Sequence, residues 1–178
     1  VAGLAMLSST FQRGARIGAD RTRLEVSKGM EISDVMKPDD ILTGVLVAKK
    51  SKLLKFLAET AAKAACVDEG EVLRALQSRE NLGSTGIGSG IAIPHAPVEG
   101  LRKPFVLLVR LAKPIEFESI DEEPVDLVCM VLTPCGEQNQ YLKLLAKISR
   151  QLRSENVRNT ISDATDNELI YRTFIDCA

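Results

Sequence analysis

His95 is the only histidine of the chain. A neutral imidazole, well populated near its unperturbed pKa of about 6.5, can attack phosphorus without a separate base. A phosphoryl group in transfer carries negative charge on three equatorial oxygens, so a site for it needs N–H, hydroxyl and guanidinium donors. Donors of that kind lie just ahead of His95, in Arg79-Glu80-Asn81-Leu82-Gly83-Ser84-Thr85-Gly86-Ile87-Gly88-Ser89-Gly90-Ile91-Ala92-Ile93-Pro94. Arg79, Ser84, Thr85 and the loop amides around Gly86 are the candidates. Glycines let backbone N–H groups approach a ligand closely, so the segment can form an anion-binding concavity; the same glycines also suit a hairpin or a bulge. Neither familiar nucleotide motif fits, because no Lys-Ser/Thr pair follows the last glycine and Pro94 forbids a helix straight after Ile91.

The elements that must hold these residues follow from periodicity. Ser33 is the expected N-cap of a short helix through Met36, which must end before Pro38. A strand-like run, Ile41 to Ala48, leads to a helix opened by Ser51, with Leu53, Leu54, Leu57, Ala61, Ala64 and Ala65 at helical spacing. Asp68 and Glu71 form a capping pair for a second helix, whose Val72, Leu73 and Leu76 face inward and whose end near Arg79 delivers the chain to the glycine-rich segment. Three strand-like runs, Ile91 to Ile93, Phe105 to Leu111 and Val125 to Leu132, are bounded by prolines 94, 104, 114, 124 and 134. Tyr141, Leu145, Ile148 and Leu152 mark an amphipathic helix from Glu137 to Leu152. Thr165 with Glu168 predicts the cap of a last helix through Phe174. Residues 1–30 lack a sustained pattern and are expected to be an appendage to one domain spanning 31–178. The mixture predicts an α/β fold.

Composition narrows the function classes. Lys+Arg total 23 against 24 Asp+Glu, a net charge of -1, which gives no pull toward nucleic acid or anionic lipid. Arg102, Lys103, Arg110 and Lys113 are too sparse for a nucleic-acid surface, and the acidic cluster Asp121, Glu122, Glu123 and Asp126 reads as a solvated turn. The four cysteines show no C-x-x-C spacing, so reduced thiols are expected and neither a metal nor a cofactor is implied. Apolar stretches such as Val125 to Leu132 are far below the roughly 20 residues a membrane helix needs. Val1 to Leu7 lacks the preceding basic region of a secretory signal. A cytoplasmic protein with no membrane insertion is expected.

From about Ile32 to Phe174 the chain resembles the enzyme IIA domain of the fructose and mannitol class of the bacterial phosphotransferase system. It looks closest to the free-standing nitrogen-related branch, often called PtsN. The residues carrying this are Arg79-Glu80-x-Leu82-Gly83-Ser84-Thr85-Gly86-Ile87-Gly88-x-Gly90-Ile91-Ala92-Ile93-Pro94-His95, then Pro114-Ile115-x-Phe117, then Ile120-Asp121-x-x-Pro124-Val125-Asp126-Leu127. The resemblance implies a single three-layer domain, a mixed β-sheet flanked by helices on both faces. It implies that His95 is phosphorylated and that Arg79 lies close to the active site. Members commonly carry a second histidine at the start of the helix after the last core strand, where this chain has Tyr141; a tyrosine still donates a hydrogen bond but brings no imidazolium charge. The donor expected from the resemblance is a small histidine phosphocarrier protein. The onward partner is a set of regulatory targets in potassium, nitrogen or envelope control, or a IIB domain in fructose or mannitol uptake. A binding module that has lost phosphotransfer is a third reading.

Overall fold

The computed structural model describes residues 29–136 and 138–176. All but the last two residues of the expected appendage lie outside that range. The sheet rests on two long apolar strands, β5 (Phe105–Ile115) and β6 (Val125–Pro134), paired antiparallel. Strand side chains alternate between faces, so a strand apolar at every position serves a core on each side. Leu107, Val109, Val128 and Met130 join one cluster, with Leu53, Leu57, Val72 and Leu76 of α1 (Lys50–Ala65) and α2 (Glu69–Asn81). Val106, Leu108, Cys129 and Val131 join the other. Their partners there are Leu144, Val157, Ile161, Ile170 and Phe174 of α3 (Gln138–Arg153), α4 (Glu155–Asp163) and α5 (Asn167–Ile175). The result is helices, sheet, helices. The remaining strands are β1 (Ile41–Val45), β2 (Gly86–Gly88), β3 (Ile91–Ala92) and β4 (His95–Val98), in the order β1-β5-β6-β3-β2, with β4 also paired to β6. Parallel and antiparallel neighbours mix, as the α/β expectation requires.

Several boundaries differ from the sequence reading. The helix expected to start at Ser33 is a 3₁₀ turn, Ile32–Asp34, whose N-cap is Glu31; its backbone N–H donates to the Asp34 carboxylate at 2.8 Å. The strand expected to reach Ala48 stops at Val45, because Gly44 at φ +72° breaks the register with β5. Pro114 does not bound β5 but lies within it, in the stretch where pairing with β6 slips between Arg110 and Ile115, a place where a missing N–H is tolerated. α5 is capped by Asp166, which accepts the Glu168 N–H at 2.9 Å, rather than by Thr165. Helix α4 is an element the sequence reading missed: it buries only Val157 and Ile161. The α2 cap is as expected, with Asp68 accepting from the Glu71 N–H at 2.8 Å.

Candidate active site

β3 and β4 keep one register against β6, with Ala92 opposite Val128 and His95 opposite Val131. The break between them is Ile93-Pro94. Pro94 has no N–H to give, and its carbonyl accepts the Val131 N–H at 2.9 Å. The Ile93 N–H turns instead to the Thr85 carbonyl, also at 2.9 Å. The Ile93 carbonyl thereby becomes available to His95, whose Nδ1 lies 2.8 Å from it. Proline placement immediately before the chain's only imidazole thus leaves the Ile93 carbonyl, two residues ahead of His95, to orient the ring.

On the other side of the ring, Arg79 Nε lies 3.1 Å from His95 Nε2, and Arg79 Nη1 donates to the Gly83 carbonyl at 3.0 Å. The tautomer follows from chemistry. A carbonyl can only accept and a guanidinium can only donate, so Nδ1 carries the proton and Nε2 carries the lone pair. Burial holds the His95 pKa below its usual value, and the Arg79 charge adds to that shift; the Ile93 carbonyl and Glu80 offset it in part. The imidazole is neutral at neutral pH, with its nucleophilic nitrogen defined.

Glu80, next to Arg79, is 9% exposed and does not face the ring. Its carboxylate takes Lys50 Nζ at 2.8 Å, the Thr85 N–H at 3.0 Å and the Thr85 hydroxyl at 2.6 Å. Burial alone would raise its pKa, but Lys50 and Thr85 outweigh that and hold it below the usual carboxylate range. Lys50 also reaches Glu118 at 2.7 Å and sits 4.7 Å from the Phe117 ring centroid. The start of α1, the end of α2 and the loop after it are locked together behind Arg79.

The glycine-rich segment is the β2–β3 hairpin. Its close approach is to the 118–126 turn: a Cβ on Gly86 would meet Ser119 Oγ at 2.5 Å, and one on Gly88 the Asp121 carboxylate at 2.8 Å. The Ser84 hydroxyl donates to the Phe117 carbonyl at 2.9 Å, the Thr85 hydroxyl to Glu80, and the Ser89 N–H to the Asp121 carboxylate at 2.7 Å. Donors committed to carboxylates and carbonyls form no anion cradle. Ser84, Thr85 and Gly86, expected beside the phosphoryl group, do not line the cleft at His95. They build its support instead.

That cleft, of about 500 Å³, opens between α2, β4, β6 and α3. Arg79 and Tyr141 line it, Tyr141 from the first turn of α3 with 7% exposure. Ser78 and Thr133 line it too, and sequence reasoning missed both. The signals were present: Ala75, Ser78, Arg79 and Leu82 form one i, i+3, i+4, i+7 stripe, and Thr133 stands two residues beyond Val131 on the same face of β6.

Residues 34–177 match the phosphoenolpyruvate-dependent sugar phosphotransferase system EIIA 2 family. The chain belongs to that family. Among relatives of this EIIA domain, a nitrogen regulatory protein of Bradyrhizobium diazoefficiens is 41% identical over 142 residues, 80% of this chain and 93% of the relative. A fructose-specific EIIA component of the phosphotransferase system of Haloferax volcanii is 36% identical over 124 residues, 69% of this chain and 80% of the relative. The crystal structure of nitrogen regulatory protein IIA-Ntr from Neisseria meningitidis has the same fold. Its TM-score is 0.76 at 24% identity, covering 80% of this chain and 98% of that one. The EIIA domain is therefore a component of the phosphotransferase system, near the nitrogen-regulatory branch. Among the described residues no helix is long and apolar enough to cross a membrane.

Proposed function

We propose that this EIIA domain is a phosphoryl carrier that accepts a phosphoryl group on His95 Nε2 from the phosphohistidine of a small cytoplasmic carrier protein, and that its phosphorylation state regulates target proteins. The observation that carries the reading is the defined lone pair: Nδ1–H held by Ile93, and Nε2 accepting the Arg79 N–H in the cleft that both side chains line. Nε2 forms the new N–P bond while the donor's N–P bond breaks and its electron pair returns to the donor imidazole. The Nδ1 proton stays on His95, so the phosphorylated ring is a cation stabilised by the Ile93 carbonyl. The donor ring, which carries a proton on its other nitrogen, leaves as a neutral imidazole. Arg79 moves its N–H donors from Nε2 to the phosphoryl oxygens, which neutralises charge without a metal.

The regulatory reading is supported by the 41% identity to a nitrogen regulatory protein. The 36% identity to a fructose-specific component supports a second one, in which the group passes on to a IIB domain and then to a sugar. The deciding experiment is intact mass after incubation with phosphoenolpyruvate, enzyme I and a cognate carrier. One acid-labile phosphoryl group, absent in His95→Ala, is the expected result. No gain from a demonstrably phosphorylated carrier would leave a binding module without phosphotransfer. Adding a IIB domain to the phosphorylated protein separates the remaining two readings.

A further inference from the structure

We infer that the hydroxyls of Ser78, Thr133 and Tyr141 hold the oxygens of the phosphoryl group once it is bonded to His95 Nε2, an inference that rests on the carrier reading above. All three side chains line the His95 cleft. Among the described residues none of the three hydroxyls has a hydrogen-bond partner. The hydroxyls of Thr60, Ser84, Thr85 and Thr173 are all bonded. Thr133 is 8% exposed and Tyr141 7%, and polar groups buried to that degree are ordinarily paired. Neither hydroxyl belongs to the fully enclosed unpaired atoms, so each keeps some exposed surface.

Strand register explains the placement. His95 lies opposite Val131 and Pro97 opposite Thr133, and side chains two apart on a strand share a face. Ala96 and Val98 pack into the core under α1 and α2, so His95 and Pro97 point to the opposite face. Val131 belongs to the core under α3, and Thr133 shares its face. Thr133 is therefore a diagonal neighbour of His95, roughly 8 Å away along the sheet. Tyr141 approaches from α3, and Ser78 from the stripe of α2 that also carries Arg79. All three residues line the same cleft as His95, into which a group on Nε2 would project.

Charge gives the arrangement its purpose. Among the described residues lining the cleft, Arg79 is the only one with a fixed charge, whereas a phosphoryl group brings close to two negative charges and three acceptor oxygens. A second cation would depress the His95 pKa further and weaken the nucleophile. Neutral O–H donors complete the coordination without that effect.

The test compares the wild-type protein with Ser78→Ala, Thr133→Val and Tyr141→Phe in two measurements: the equilibrium of phosphoryl exchange with the carrier, and the urea midpoint of the unphosphorylated protein. Each hydroxyl lost should shift the exchange about tenfold toward the carrier, the scale of a hydrogen bond to a charged group. Thr133→Val should leave the unphosphorylated midpoint unchanged or raised, because no bond is lost there. Wild-type exchange in all three variants would overturn the inference and leave the carrier reading intact. A lowered midpoint in Thr133→Val would overturn it for Thr133 by revealing a structural partner. If the wild-type protein takes no phosphoryl group, the carrier reading fails and this inference falls with it.

Discussion

In the proposed carrier reaction His95 Nε2 is both the attacking atom and the atom that accepts the Arg79 N–H, so the guanidinium would hold the ring before transfer and release it during transfer. That double duty makes Arg79 hard to replace. Arg79→Gln removes the charge that meets the developing phosphoryl oxygens and should slow transfer from the carrier about 10²-fold, the scale of losing one oxyanion donor. Arg79→Lys should recover little, since a point charge cannot hold Gly83 and His95 with one rigid fork. Quenched-flow transfer rates check both. The same contact governs protonation. The His95 pKa, followed by ring proton NMR, should lie below 6.5 in the wild-type protein. It should rise in Arg79→Gln while staying depressed, because burial, the larger cause, remains. A wild-type value at or above 6.5 would contradict the tautomer and the charge assignment together.

At the scale of elements, the site depends on α2 ending at one place and on the hairpin after it lying flat against the 118–126 turn. Glu80 fixes the first through Lys50 and Thr85. Glu80→Gln leaves Lys50 without its more buried partner and should cost about 1–3 kcal/mol in urea unfolding. Gly86 fixes the second. Gly86→Ala forces a methyl against Ser119 Oγ and its Cα, at 2.5 and 2.9 Å, and overpacking of that kind costs about 1–3 kcal/mol. Gly86 is not at positive φ, so the cost is space alone and Ser119→Gly should relieve part of it in the double variant. These elements also show what the sequence disclosed. Helices α1 and α2 and the two long strands were legible because their apolar spacing is regular. The choice between anion cradle and hairpin for residues 83–90 was not, because a glycine row is the same whether it admits a phosphate or a neighbouring turn. What decides it is Ser119, Asp121 and Asp126 on a segment far along the chain. α4 escaped because two apolar residues make too short a stripe to register.

For the molecule as a whole, one sheet with a core on each face carries a charged network on one side of the cleft and the apolar face of the amphipathic helix α3 on the other. Titration of the site is therefore coupled to folding. His95 binds its proton more weakly in the folded chain than in the unfolded one. Its contribution to stability is present above the unfolded value of about 6.5 and is lost as pH falls through that value toward the lower folded one. Glu80, also depressed, has the same sign but acts further down, below the ordinary 4.5. Asp40, raised by burial against its Lys37 contacts, opposes Glu80 in that acid region. Histidine is the side chain whose ordinary pKa falls between pH 7.5 and 5.5, and His95 is the chain's only one, so the pH slope of stability there is assigned to one residue. The urea midpoint of the wild-type protein should fall from pH 7.5 to 5.5, while that of His95→Gln should stay level. Equal wild-type midpoints would mean that burial and Arg79 do not disfavour the imidazolium. A slope surviving in His95→Gln would place the coupling in another group and remove the case for a neutral nucleophile held ready by the fold.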